Sequence, residues 1–247
     1  MFLRSGGEMK LNPTDIALGA CLTGALATTS YIFITHMRPG SKPPGAEPQI
    51  SIIEATFSSE EILGVSLPRY GVKESIWTVA EFGDYQCPPC RFIEEKIKPL
   101  FAVHPEASYT FRNYPLRMHP NAKPSALAAI AASKQGKYWE MHDALYANQE
   151  DLTQVGIKKL ACSLKLNINK FIPDMTLAAK TLKDDITFAY KAKLSFTPSF
   201  IVRSPEGVVA LMDYAGLEKT LASHKIDTNA KKEEGNQNCK DGSANCK

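Results

Sequence analysis

The stretch FGDYQCPPC, residues 82–90, decides how the rest of the chain is read. Just upstream, SIWTVAEF (residues 75–82) is rich in β-branched and aromatic side chains, the pattern of a buried strand. Downstream, Phe92, Ile93, Ile97, Leu100 and Phe101 recur at helical spacing, which predicts a helix over 88–103 that Pro99 would kink. Cys87 and Cys90 therefore fall where a strand hands over to a helix. Pro88 and Pro89 take the first helical positions, where a missing N–H breaks no helical bond, and this leaves Cys87 at about the N-cap.

A Cys-x-x-Cys pair has four readings. Structural zinc needs four ligands, and the other close cysteine pair, Cys239 and Cys246, lies in a polar tail far along the chain. Haem attachment needs His after the second Cys, and residue 91 is Arg. An inert disulfide closing so small a loop adds little stability. A redox dithiol fits best: exchange runs through the thiolate, and a helix N-terminus offers unpaired N–H groups and a positive dipole end to an anion. The two prolines remove two such donors and supply no imidazolium. The Cys87 thiolate should be less stabilised here than in a CPHC motif, and the reduced form relatively less favoured.

Outward from this motif, residues 108–114 (SYTFRNY) read as a second strand, and the pattern from 121 to 194 is helical, Ala-rich at 126–132. Strands at 199–203 and 208–212 flank the turn signal Ser204-Pro205-Glu206-Gly207, and a last helix starts near Leu217. A βαβ half, a helical insertion and a ββα half make one coherent α/β domain. We place it at 73–222, with the insertion at about 121–194.

Four segments, FGDYQCPPC, then RNYPLRMHPNA, GKYWEMHDALYANQ and TPSF, occur in an order that resembles the DsbA-like thioredoxin-fold thiol:disulfide oxidoreductases, over residues 75–221. The resemblance implies a thioredoxin-like fold with a helical insertion, an extracytoplasmic location and disulfide exchange with protein thiols. It also implies that no cofactor or metal takes part. Cys87 matches the exposed nucleophile, Cys90 the resolving thiol and Pro198 the family's cis-proline. Thr197 would offer its backbone to a substrate strand. Glu81 matches an acidic position buried beneath the active site, where a carboxyl of raised pKa would relay protons to Cys90; the plain alternative is a strand residue facing solvent. The chain departs from the family at Phe196, where many members have Gly, so the substrate groove is expected to be narrower or more apolar. His119 receives no role, and Tyr138 and Trp139 read as helix packing. Cys162, between Leu160 and Leu164, reads as a buried small hydrophobe.

The rest of the chain gives a setting. Residues 16–35 form an uncharged run long enough for a transmembrane helix, ahead of a Pro- and Gly-rich linker with a short lead-in (36–72). A cleaved signal peptide and a lipoprotein signal ending at Cys21 are the competing readings. Arg4 and Lys10 before the run balance Arg38 and Lys42 after it, so charge sets no orientation. In the lead-in, residues 49–53 suggest a strand, and Ser58-Ser59-Glu60-Glu61 a capping box on a brief helix ending at Gly64. Residues 1–15 are a short N-terminal segment, and residues 223–247 a polar tail without apolar periodicity.

Composition agrees with this. Of 247 residues, 44% are hydrophobic and 22% charged, which excludes wholesale disorder. A net charge of +3 is too small for electrostatic nucleic-acid binding. Six cysteines are too few for a disulfide-stapled mini-protein. The expectation is a monomeric, membrane-anchored oxidase of protein thiols, reoxidised by a membrane redox partner. The alternatives are a reductase of the same fold, or a non-catalytic chaperone or binding module using the Thr197–Pro198 groove.

Overall fold

The computed structural model describes residues 48–53, 56–64, 68–71 and 75–226. The run at 16–35, Cys21 and the tail with Cys239 and Cys246 lie outside the described residues. Among those that are described, no helix is long and apolar enough to cross a membrane.

Five strands make one sheet: β1 (Ile50–Ile52), β2 (Trp77–Gly83), β3 (Ala107–Asn113), β4 (Ser199–Arg203) and β5 (Val209–Met212). Their spatial order is β1-β5-β4-β2-β3. β2 lies between β3 and β4, parallel to the first and antiparallel to the second, so that Glu81 sits between Phe111 and Phe200. Every residue of β2 is buried. That explains its unbroken apolar character: a strand covered on both faces needs no polar alternation.

Helix α1 (Ser59–Leu63) precedes β2, and α2 (Pro88–Val103) joins β2 to β3. The segment between β3 and β4 holds α3 (Ala122–Ser133), α4 (Tyr138–Ala147), a 3₁₀ turn (Gln149–Asp151), α5 (Gln154–Ser163), α6 (Ile168–Leu177) and α7 (Ala179–Lys191). α8 (Tyr214–Ser223) closes the fold. The alanines of α3 are buried almost throughout, which allows the close helix packing that larger side chains would prevent.

The expected capping box is present: Glu61 N–H donates to Ser58 Oγ at 3.2 Å, and Ser58 N–H to Glu61 Oε2 at 2.9 Å. The turn after β4 closes from Gly207 N–H to Ser204 C=O at 3.0 Å, with Gly207 at φ +85°.

Four details differ from expectation. The lead-in strand β1 is part of the sheet, an edge pairing antiparallel with β5. α8 begins at Tyr214, three residues before Leu217, because Asp213 caps it by accepting from Gly216 N–H at 2.8 Å. On α2, Ile97, Leu100 and Phe101 are buried, but Phe92 is 39% exposed, with Lys96 Nζ 4.4 Å from its ring centroid. Cys162 is exposed, not buried: the inner face of α5 is Gly156, Ile157 and Ala161, and the next residue points outward.

β3 is tied to the helices by a buried charge pair. Arg112 Nε donates to Asp185 Oδ1 on α7 at 2.8 Å, with each side chain 5% exposed. Arg112 also donates to the carbonyls of Glu61 and Ile62 at the end of α1, and Asn113 N–H donates to Asp185 Oδ2 at 3.0 Å.

Candidate active site

Cys87 is the N-cap of α2, with Pro88 and Pro89 in its first turn. Both Cys87 and Cys90 are free thiols. Cys90 has no exposure, while Cys87 keeps 5%. The expected nucleophile is thus the more accessible sulfur of the pair, though far from open.

The Thr197–Pro198 bond is cis. Cys87 Sγ lies 3.4 Å from the Thr197 carbonyl oxygen, to which the thiol donates. Phe196, the departure from the family pattern, is 36% exposed beside this pair, giving the surface there an apolar rim.

The electrostatics separate the two thiols. The Cys87 pKa is lowered to about 6, first because Cys90 hydrogen-bonds to its sulfur; burial opposes this and the Thr197 side chain assists it. Cys90 is pushed well up, by burial first and then by its role toward Cys87. One sulfur is set to be the anion and the other to hold its proton. With two backbone donors lost to proline, the neighbouring thiol supplies the largest stabilisation of the Cys87 thiolate. Iodoacetamide alkylation of Cys87 in the reduced chain should therefore rise with pH to a plateau with a midpoint of about 6, against roughly 8.5 for a free cysteine. A midpoint above 8 would contradict this arrangement.

Glu81 is fully buried, which disposes of the solvent-facing alternative. Tyr109 Oη donates to Glu81 Oε2 at 2.8 Å, and Glu81 Oε1 has no hydrogen-bond partner. Burial, then the negative charge of Glu94, raise the Glu81 pKa well above the carboxylate range. Glu81 in turn helps to raise Cys90.

Several supporting residues were not assigned roles from sequence. Asp84 is buried; its carboxylate accepts from Gln86 N–H at 2.7 Å and Leu116 N–H at 2.8 Å and meets His119 Nδ1 at 2.8 Å. Gln149 Nε2 donates to the Tyr85 and Cys87 carbonyls at 2.8 and 3.0 Å. The signal was present in the ordered segments: HPNA supplies His119 and YANQ supplies Gln149, and both reach the segment from Asp84 to Cys87. Tyr138 packs in the core as expected, its hydroxyl donating to the Phe111 carbonyl at 3.2 Å.

A dithiol at a helix N-terminus, set against a cis-proline just ahead of β4 in a fold with a helical insertion, is the arrangement that the resemblance to DsbA-like thiol–disulfide oxidoreductases implies. The chain belongs to the thioredoxin family, whose model matches residues 66–234. It is 26% identical over 171 residues to disulfide bond formation protein D of Bacillus subtilis, covering 62% of this chain and 75% of that protein. A thioredoxin-like oxidoreductase from Silicibacter pomeroyi superposes with a TM-score of 0.59 at 25% identity, over 68% of this chain and 96% of that one. The thiol-disulfide exchange protein alpha-DsbA2 from Wolbachia pipientis shares the fold, with a TM-score of 0.58 at 18% identity over 67% and 90% of the two chains. Other curated relatives are larger. Na(+)/H(+) antiporter NhaA 3 of Salinispora tropica is 34% identical over 135 residues, 53% of this chain but only 21% of the antiporter.

Proposed function

We propose that this protein is a membrane-anchored, extracytoplasmic oxidase of protein thiols. The observation that carries the reading is the placement of Cys87 Sγ at the α2 N-terminus, 3.4 Å from the carbonyl that precedes the cis-proline. A substrate thiolate attacks Cys87 Sγ of the oxidised pair. The Cys87–Cys90 bond breaks, a mixed disulfide forms, and Cys90 leaves as a thiolate. Glu81, holding a proton above the ordinary range, supplies it to Cys90. A second thiolate of the substrate then attacks its own mixed-disulfide sulfur and releases Cys87, whose low pKa makes it the better leaving group. The substrate loses two electrons and the dithiol gains them; a membrane redox partner removes them again. Thr197 pairs with the substrate backbone, and Phe196 favours apolar residues beside the reacting cysteine. The anchor is the run at 16–35.

A lowered Cys87 pKa favours the oxidising direction, because it stabilises the reduced form. The test is the reduction potential of the pair in glutathione buffers. We expect a value toward about −120 mV; one near the roughly −270 mV of thioredoxin would make the protein a reductase.

A further inference from the structure

Glu94, His142 and Asp143 lie outside the exchange chemistry, yet their donor atoms all fall within 4.8 Å of one another. Glu94 stands on α2 one turn beyond Cys90, and the other two are consecutive on α4. A cavity of about 400 Å³, lined by Glu94, Asp143, Lys98 and Tyr146 among others, opens onto the cluster. Three buried atoms here lack a hydrogen-bond partner: Glu94 Oε2, His142 Nε2 and Asp143 Oδ1. Such orphans are uncommon in native proteins and call for a cause. His142 Nε2 and Glu94 Oε2 face each other at 3.0 Å, the spacing of an ion pair when the imidazole is protonated; a metal ion bound here would take the place of that proton.

On two of the three residues, the remaining donor atom is held. His142 Nδ1 meets Tyr85 Oη at 2.9 Å, and Lys98 Nζ donates to Asp143 Oδ2. The rings of Tyr85, Phe111, Tyr138, Trp139 and Tyr146 surround the imidazole. A far atom anchored and a near atom unpaired is how outer partners orient metal ligands. One imidazole nitrogen with two carboxylate oxygens suits zinc-class ions, whereas calcium and magnesium favour all-oxygen sets. Bonds of about 2.0–2.1 Å set neighbouring donors roughly 3–3.5 Å apart, close to the separation of Nε2 and Oε2.

We propose that Glu94, His142 and Asp143 bind one divalent transition-metal ion of the zinc class, with its open coordination facing the cavity between α2 and α4. The site is separate from the dithiol and was not anticipated from sequence, because its ligands come from different helices.

The test is a Co²⁺ titration of the full chain carrying Cys87→Ser and Cys90→Ser, which removes the redox thiols as competing ligands, followed by displacement with Zn²⁺. We expect one saturable site with d–d absorption and reversal by zinc. Adding Asp143→Asn or Glu94→Gln should each weaken binding at least about tenfold. Both residues are partly exposed, so circular dichroism should show native folding. Three results would overturn the site: no saturable binding, binding that either variant leaves unchanged, or cobalt that zinc fails to displace.

Discussion

With Cys90 replaced by Ala, the full chain should accumulate covalent complexes with its protein substrates; with Cys87 replaced by Ser, it should form none. The asymmetry follows from position. Cys87 keeps 5% exposure and a lowered pKa, while Cys90 has none and holds its proton. In this variant a mixed disulfide forms when the Cys87 thiolate attacks a substrate disulfide. The thiol one helical turn away, which would attack Cys87 Sγ and expel the substrate in competition with the substrate's own second thiol, is gone. That neighbour acts at an effective concentration of roughly 10⁵ M or more when well oriented, so removing it should lengthen the complex's life by on the order of 10³-fold or more. The same substitution deletes the hydrogen bond that most lowers the Cys87 pKa, so the alkylation midpoint should also move up. Non-reducing electrophoresis of cell extracts and an alkylation profile read the two effects. If Cys90→Ala trapped no substrate while Cys87 still alkylated, the exchange reading would fail and a non-catalytic binding module would take its place.

The second large effect is on stability. Asp185→Ala leaves Arg112 charged and 5% exposed with no carboxylate beside it, and deprives Asn113 N–H of its acceptor. Removing one partner of a buried pair costs about 3–5 kcal/mol. For a domain of this size that corresponds to a fall in Tm on the order of 10 °C. The double variant Arg112→Met with Asp185→Leu should recover part of the loss, since no charge is then stranded; the α1 carbonyls that Arg112 serves would still lose their donor. Urea and thermal unfolding measure both variants. A loss below about 1 kcal/mol for Asp185→Ala would mean that water reaches the pair, as at exposed ion pairs.

Local rules carried far in this chain. The helix at Pro88–Val103 was legible from its proline start and apolar spacing, and the capping box and the Gly207 turn from residues in direct succession. What eluded the sequence depended on distant partners or on a small angular error. β1 finds its mate in β5, at the other end of the domain. Cys162 sits one position past the buried face of α5, a rotation of about 100° that neighbouring leucines disguise. The dithiol and the Thr197–Pro198 pair were readable because motif and order point to them. Glu81 could be located but not shown to be buried. His142 carried no signal, since a histidine on a helix gains meaning only from what packs around it.

The outer strands bear on the proposed exchange with polypeptide clients. β1 is only three residues long, and on the opposite margin of the sheet Tyr70 exchanges both backbone hydrogen bonds with Tyr109, at 2.9 and 3.0 Å. Sheet margins that are brief or already occupied give incoming strands little to template on. Under the proposed function, such margins would keep the protein from polymerising with extended polypeptides and leave the cis-proline loop as the place where a client backbone pairs.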